Sequence, residues 1–538
     1  MCLCAFAREI FSVERYFSCK EGWTIRAEYP SRSHSMDALS QRLTTLSPKE
    51  RTLFQLLLEE RREQRARQLI PRAPQAEWYP LSFAQERLWF LHQLEPNSSF
   101  YNIPLAVQLH GALRSDALEQ SLREVVRRHS VMRATLALRN GVAVQTIRPI
   151  DEFVVKKTSL EHLPESTHAQ ATRELVHDEA QEPFALSSEI PIRARLFKLN
   201  AEEQVLSLNM HHIACDGWSI GILMKEVATL YDAFCGGTQS PLEELPLQYT
   251  DFAVWQKTPE QTAMLERQLL YWKQQLREWK PADAPSENAV KTFSAGRAYS
   301  EWPPWILQKL KDLSREQGVT LFMTLLAAFQ TLLHWRSKRG QVLVGTPSAG
   351  RSRTEVEPLI GCFINTLVMQ TDLSGNPSFR ELLARVKQTV LGAFVNQDVP
   401  FDKVVAALQP ERRFQHTQIF NVWFVLQNAP LPALELHNLT LRPVWTSSET
   451  SKFDLMLSMQ EETGELLTGI WRYNRDLFAP KTIAGMLKQF QVLVERVATD
   501  PDIHVDDINV ENLDDLNQLS VTQFDDEIAS DAAQQFNF

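Results

Sequence analysis

The stretch VLSLNMHHIACDGWSIGILMKEV, Val205–Val227, constrains the fold more tightly than any other part of the chain. Its first half alternates in the manner of a strand and ends at His211 and His212. A short loop then reaches Asp216-Gly217, after which Ile220, Leu223, Val227, Leu230, Tyr231 and Phe234 recur at helical intervals of three and four. A strand that delivers two histidines to a tight loop and a helix is an α/β unit. Successive strand side chains point to opposite faces, so both imidazoles cannot serve one site if the strand runs through them. One is a working group and the other a structural one, and this stretch alone leaves open which.

Three chemistries compete for these residues. Two histidines and an aspartate could ligate a metal, although the usual helical zinc motif sets its histidines four apart on one face. They could also be satisfied core histidines, which leaves the strand–loop–helix arrangement unexplained. The third reading is acyl transfer. One imidazole acts at the strand end, and Gly217 permits close backbone approach or a positive φ. The helix starting near Trp218 and Ser219 then aims free N–H groups at a developing oxyanion. Cys215 is a weaker nucleophile candidate, on the logic of Cys–His pairs.

At 538 residues the chain exceeds the size of a single core. A formal charge of −10 argues against a general nucleic-acid binder, and no apolar run approaches the roughly 18 residues of a membrane span. The start, MCLCAFAREIF, is interrupted by Arg8 and Glu9 before an export signal could form. The six scattered cysteines read as reduced thiols, and the expected location is cytoplasmic.

Residues 1–35 lack periodicity, and Met36 offers an alternative start. Ser47, Pro48 and Glu50 form a helix-start signature ahead of the stripe Leu53, Phe54, Leu57 and Leu58. From Trp78 strands and helices alternate; LAVQLHG reads as a strand and DALEQSLREVVRRH as an amphipathic helix. PADAPSENAV breaks every pattern, and beyond it QVLVGTP echoes the earlier QVLSLNM. Past Arg496 there is no lysine or arginine. The expected organisation is an extension at 1–76, a lobe at 77–280 carrying the histidines, a linker at 281–290, a second lobe at 291–510 and an acidic tail at 511–538.

With HHIACDG as its centre, the chain resembles the condensation domains of non-ribosomal peptide synthetases, whose core motif is His-His-x-x-x-Asp-Gly. The family's other motifs follow in order. SFAQERLWFL (Ser82–Leu91) and RHSVMRATL (Arg128–Leu136) precede the histidines; YTDFAVWQ (Tyr249–Gln256), IGCFINTLVMQ (Ile360–Gln370) and NQDVPFD (Asn396–Asp402) come after them. Gln370 stands where the family has arginine, and the last motif is reduced to RRFQHTQ; both departures bear on partner or substrate contacts rather than on the chemistry.

The resemblance implies an α/β fold of two chloramphenicol-acetyltransferase-like lobes, a V-shaped pseudo-dimer with a tunnel between them. It implies amide-bond formation between a carrier-bound acyl or peptidyl thioester and a carrier-bound aminoacyl amine. No cofactor would be bound by the chain itself, because the substrates ride on phosphopantetheine arms of donor and acceptor carrier proteins. Lacking adenylation and carrier segments, the chain is expected to act in trans as a monomer, with no nucleic-acid or membrane partner. The motif's second histidine, His212, would face the tunnel. His211, Asp216 and Gly217 would complete the motif, and Arg351 of SAGRSR is the expected partner of Asp216. Ser82, Arg87, Trp218 and Asn365 are further structural or tunnel candidates. Trp89, Phe90, Tyr249 and Trp255 read as core, Arg87 and Arg133 as buried ion partners or tunnel residues, and Thr366 as a backbone-satisfying residue beside Asn365. An epimerisation domain, an ester-forming relative and a catalytically idle recruitment platform are the alternatives.

Overall fold

The computed structural model describes residues 69–277, 294–408, 419–427, 439–444, 453–462 and 466–508, together with Leu436 and Ser451. The signature at Ser47, the linker at 281–290, the RRFQHTQ segment and the acidic tail lie outside these residues.

In the N-terminal half, β1 (Tyr79–Pro80), β2 (Asn102–Gly111), β3 (Ala134–Arg139), β4 (Val142–Ile147), β5 (Val155–Ser159), β6 (Ile192–Lys198) and β7 (Glu203–His211) alternate with helices. In the C-terminal half follow β8 (Ala295–Trp302), β9 (Gln341–Ser348), β10 (Asn365–Asp372), β11 (Val422–Gln427), β12 (Leu439–Pro443), β13 (Leu455–Glu462) and β14 (Leu466–Asn474). The strands form a small sheet β1-β4-β3 and two larger mixed sheets, β12-β2-β7-β6-β5 and β10-β9-β11-β13-β14-β8.

The first large sheet is covered by helices Ser115–Arg128 and Gly217–Cys235, whose apolar stripes meet it in one core. Leu118, Leu122, Val125 and Val126 are buried, as are all six periodic residues of the second helix. Strand β7 is buried from Gln204 to His211 on both faces, so its alternation does not mark a wet face. Being central in the sheet, it has β2 and β6 on either side, and its polar Ser207 and Asn209 are buried too. Helix Leu321–Ser337, apolar on nearly every side, lies within the second core, as a helix without a polar face must. Among the described residues no single helix is long and apolar enough to cross a membrane.

The expected boundaries shift in three places. The first lobe includes residues ahead of the expected 77: Ile70 is buried in the first core, and Arg72 donates to the Pro246 carbonyl at 2.7 Å. Helix Pro259–Gln275, assigned by sequence to the first lobe, buries Leu265 and Trp272 in the second core. Conversely, β12 pairs antiparallel with β2, and Leu436 joins the first core, so the second half completes the first half's sheet. An unpaired edge of β2 would leave a row of backbone groups open, and β12 closes it.

Candidate active site

Strand β7 ends at His211, and the chain turns at once: the Ala214 N–H donates to the His211 carbonyl at 3.0 Å, and the His212 N–H to the Tyr101 carbonyl at 2.9 Å. The turn separates the two imidazoles. His211 is buried, its Nδ1 accepts from the Ile213 N–H at 3.1 Å, and its ring packs edge-on against Phe184. His212 is only half-buried and lines an open cavity. From the N-terminal half the cavity is walled by Phe83, Arg87, Tyr101 and Phe252; from the C-terminal half by Arg353, Phe363, Asn365 and Phe401.

Asp216 turns away from the cavity. It is the N-cap of helix Gly217–Cys235, and its Oδ1 accepts from the Ser219 N–H at 2.9 Å and faces Arg351 Nη2 at 3.2 Å. Its Oδ2 accepts from the Phe363 N–H at 2.9 Å. Arg351 also donates to the Leu359 carbonyl at 2.8 Å and to Ser219 Oγ at 2.9 Å, with its guanidinium 4.1 Å from the Phe363 ring centre. One carboxylate thus ties the histidine loop to the segment 351–363, which supplies the opposite cavity wall. Glycine is required in that segment: a Cβ on Gly361 would lie 2.1 Å from Tyr249 Cδ2, and one on Gly350, at φ +64°, 1.8 Å from the Phe363 carbonyl oxygen.

Other contacts hold the same wall. Ser82 caps helix Phe83–Leu94, and its Oγ lies 2.7 Å from the Tyr249 hydroxyl, which donates to the Cys362 carbonyl at 2.5 Å. Burial holds the Tyr249 hydroxyl well above its usual pKa, so it remains a donor. Asn365 Nδ2 donates to the Gln397 and Val399 carbonyls, each at 2.7 Å, and its Oδ1 accepts from the Phe401 N–H at 3.2 Å. Arg87 reaches across to Asp402 at 3.7 Å. Trp218 donates through Nε1 to the Glu357 carbonyl at 3.1 Å.

A buried cluster behind this wall was not singled out by sequence. Glu226 accepts from Arg128 Nε and Nη2 at 3.1 and 3.2 Å and lies 3.1 Å from His129 Nε2, while His129 Nδ1 accepts from the Ile360 N–H at 3.1 Å. Burial alone would raise the Glu226 carboxyl, but hydrogen bonds from His129 and Arg128 outweigh it and hold it below its usual range. A depressed carboxylate contributes stability that is present above its unfolded value, about 4.3, and lost as pH falls through the folded one. Glu226→Gln should therefore flatten the acid limb of stability against pH, measured by urea unfolding between neutral pH and pH 3. An unchanged limb would contradict this account.

A family model described as "Condensation domain" matches residues 75–519. The chain belongs to the condensation-domain family. Over 469 residues it is 42% identical to one of the linear gramicidin synthase proteins of Brevibacillus parabrevis; the match covers 86% of this chain and 6% of that synthase protein. The chain thus spans a small part of that relative. Among solved structures, the X-domain from teicoplanin biosynthesis aligns with a TM-score of 0.72 at 24% identity, covering 82% of this chain and 100% of that one. The first condensation domain of the calcium-dependent antibiotic synthetase, in complex with substrate analogue 3a, aligns with a TM-score of 0.66 at 17% identity, covering 81% and 100%.

Several expectations for this condensation domain are corrected. The competing metal alternative is disfavoured by geometry, since Asp216 is turned to Arg351 and His211 Nδ1 is taken by Ile213. Gly217 has no positive φ, because as the first helical residue it takes helical angles. Neither Gly217 nor Trp218 lines the cavity, and Asp216 already occupies the Ser219 N–H, so the helix start is not placed as an oxyanion hole. Burial pushes the Cys215 thiol well above its usual pKa, which removes it as a nucleophile. Phe90 is exposed, and Trp255 packs against the first core while also lining the cavity. Among the described residues Arg133 has no ion partner and does not line the cavity: it donates to the Val126, Arg127 and Arg148 carbonyls. Gln370 is buried in β10 with Nε2 facing Gln341 at 3.3 Å, so it is no surface contact.

Sequence also missed Tyr101 and Arg353 as cavity residues, and nothing in their local pattern marks them. Glu226 carried a signal that went unused: an acid three residues after Leu223 and four before Leu230, on the helix's apolar face.

Proposed function

We propose that this domain catalyses amide-bond formation between a thioester-bound acyl or peptidyl donor and the amine of an aminoacyl acceptor, each presented on the phosphopantetheine arm of a carrier protein. One observation supports the reading above the rest: of the HHIACDG residues, His212 alone lines the cavity. The amine nitrogen attacks the thioester carbonyl, the C–N bond forms, and the nitrogen loses a proton as the tetrahedral species develops. His212 accepts that proton, and the C–S bond then breaks to release the donor's thiolate, which is reprotonated. The remaining motif residues build the site: Asp216 and Arg351 fix the wall opposite, and His211 fixes the turn that aims His212.

The test incubates the full chain with an acyl-loaded donor carrier and an aminoacyl-loaded acceptor carrier and follows the acceptor by intact-protein mass spectrometry. Transfer of the acyl mass to the acceptor is expected. Binding of both carriers without transfer of mass to the acceptor would overturn the reading.

A further inference from the structure

Addition of an amine to a thioester puts negative charge on the carbonyl oxygen, and a donor already aimed at that oxygen lowers the barrier most. The helix start at Gly217 lies outside the cavity lining, so a donor from the cavity wall is needed instead. Among the described residues, Tyr101 alone both lines the cavity and sets its ring against His212. The two rings meet edge-to-face, with centres 6.4 Å apart and planes at 79°.

The backbone fixes Tyr101 together with the histidine. Its carbonyl accepts the His212 N–H at 2.9 Å. The next residue, Asn102, opens β2 opposite His211, and its Nδ2 donates to the Ala180 and Glu182 carbonyls at 2.8 and 2.9 Å. The Tyr101 ring also meets those of Phe100 and His211, at 5.1 and 6.3 Å between centres. A side chain held in this way needs little reorganisation when charge develops beside it. Burial raises the Tyr101 hydroxyl above its usual pKa against the opposing charge of Arg87, so it stays a neutral donor. Two of the charges it senses, Arg87 and Asp402, belong to cavity residues. Other donors of the wall are engaged. Asn365 Nδ2 is committed to the Gln397 and Val399 carbonyls, Ser352 Oγ donates to Asp398 at 3.0 Å, and Arg87 faces Asp402.

We propose that Tyr101 is a second catalytic residue, whose hydroxyl donates a hydrogen bond to the carbonyl oxygen of the donor thioester while His212 takes the amine proton. The inference rests on the function proposed above. As the C–N bond forms, the C=O π pair moves onto that oxygen. The O–H bond of Tyr101 stays intact, so the oxyanion is stabilised with no change in the proton count. When the pair returns and the C–S bond breaks, the oxygen is a neutral carbonyl again and the hydrogen bond weakens. A tyrosine hydroxyl ordinarily titrates near 10 and a thiol near 8.5, so Tyr101 is not the acid that reprotonates the departing thiolate.

The experiment compares wild type with Tyr101→Phe, which keeps the ring, and Tyr101→Leu, which removes it. For each, kcat and KM are measured for transfer from an acyl-loaded donor carrier, with thermal melts alongside. Calorimetry gives Kd for two small soluble analogues of the acyl donor. One is a thioether lacking the carbonyl oxygen; the other is an anionic phosphonamidate whose phosphorus and oxygens stand for the tetrahedral carbon and its oxyanion. Tyr101→Phe should lower kcat about 10²–10³-fold, the effect of losing one oxyanion donor, with KM and melting temperature unchanged. It should weaken the phosphonamidate about tenfold and leave the thioether as it was, since a hydrogen bond to a charged group is lost from one complex only. A Tyr101→Phe variant with wild-type kcat overturns the proposal, and a loss confined to Tyr101→Leu shows that the ring merely positions His212. Equal weakening of both analogues shows lost packing rather than a lost donor and overturns it too. If wild type makes no amide, the function proposed above falls, and the analogues alone decide: without selective weakening of the phosphonamidate in Tyr101→Phe, the hydroxyl is no oxyanion donor.

Discussion

Replacing His212 by alanine is expected to lower single-turnover condensation between two loaded carriers by about 10²–10⁴-fold, the usual contribution of a positioned general base. The fold should survive, because the side chain is half-buried at a cavity edge. A free α-amino group has a pKa of about 7.7–8.0, so an appreciable neutral fraction already exists near neutral pH. Taking the first proton is thus only part of the work. The greater demand is to hold amine and thioester together and to accept the proton lost as the tetrahedral species forms. Because the helix start at Gly217 lies outside the cavity lining, no oxyanion donor from that source shares the burden. His211→Ala is the control. It removes the acceptor for the Ile213 N–H and the ring against Phe184, so it should lower thermal stability with a milder loss per folded molecule. Rates and melts measured side by side separate the two histidines. A His212→Ala variant condensing at the wild-type rate would refute the assignment.

Asp216→Ala should act through stability. Arg351 and Asp216 have side chains 2% and 3% exposed, and removing the carboxylate strands a guanidinium in a dry interior. Losing one partner of a buried pair costs about 3–5 kcal/mol. Asp216 is also a helix N-cap, worth about 1 kcal/mol by itself. Denaturant titration should show the loss directly, with reduced yield of folded protein. The double variant Asp216→Ala/Arg351→Met removes both charges and should recover part of the stability, since an apolar replacement of a whole buried pair is often neutral. A single Asp216→Ala variant with wild-type stability and no turnover would instead make Asp216 a catalytic residue.

These two residues also mark how far the sequence could be read. The β7–loop–helix unit was legible from periodicity, because the spacing of apolar residues dictates which face a strand or helix must bury. The pairing of Asp216 with Arg351 and the choice of His212 over His211 come from the family motif, whereas the capping role of Asp216 and the turn that parts the two imidazoles emerge only in the structure. What periodicity does not carry is the partner. It says that helix Pro259–Gln275 has an apolar face, but not that Leu265 and Trp272 spend it on the second core. It marks β12 as a strand candidate at most, and cannot say that it closes the edge of β2 more than 300 residues upstream. The cavity is decided in the same way: Tyr101, His212, Arg353 and Phe401 meet only when the sheets pack, and no local pattern distinguishes Tyr101 or Arg353 from surface residues. The buried Arg128–Glu226–His129 cluster stands between the two cases. An acid on an apolar helix face demands a partner, because burying it unpaired is prohibitive, but only the tertiary structure shows that the partners are Arg128 and His129 and that they in turn hold Ile360.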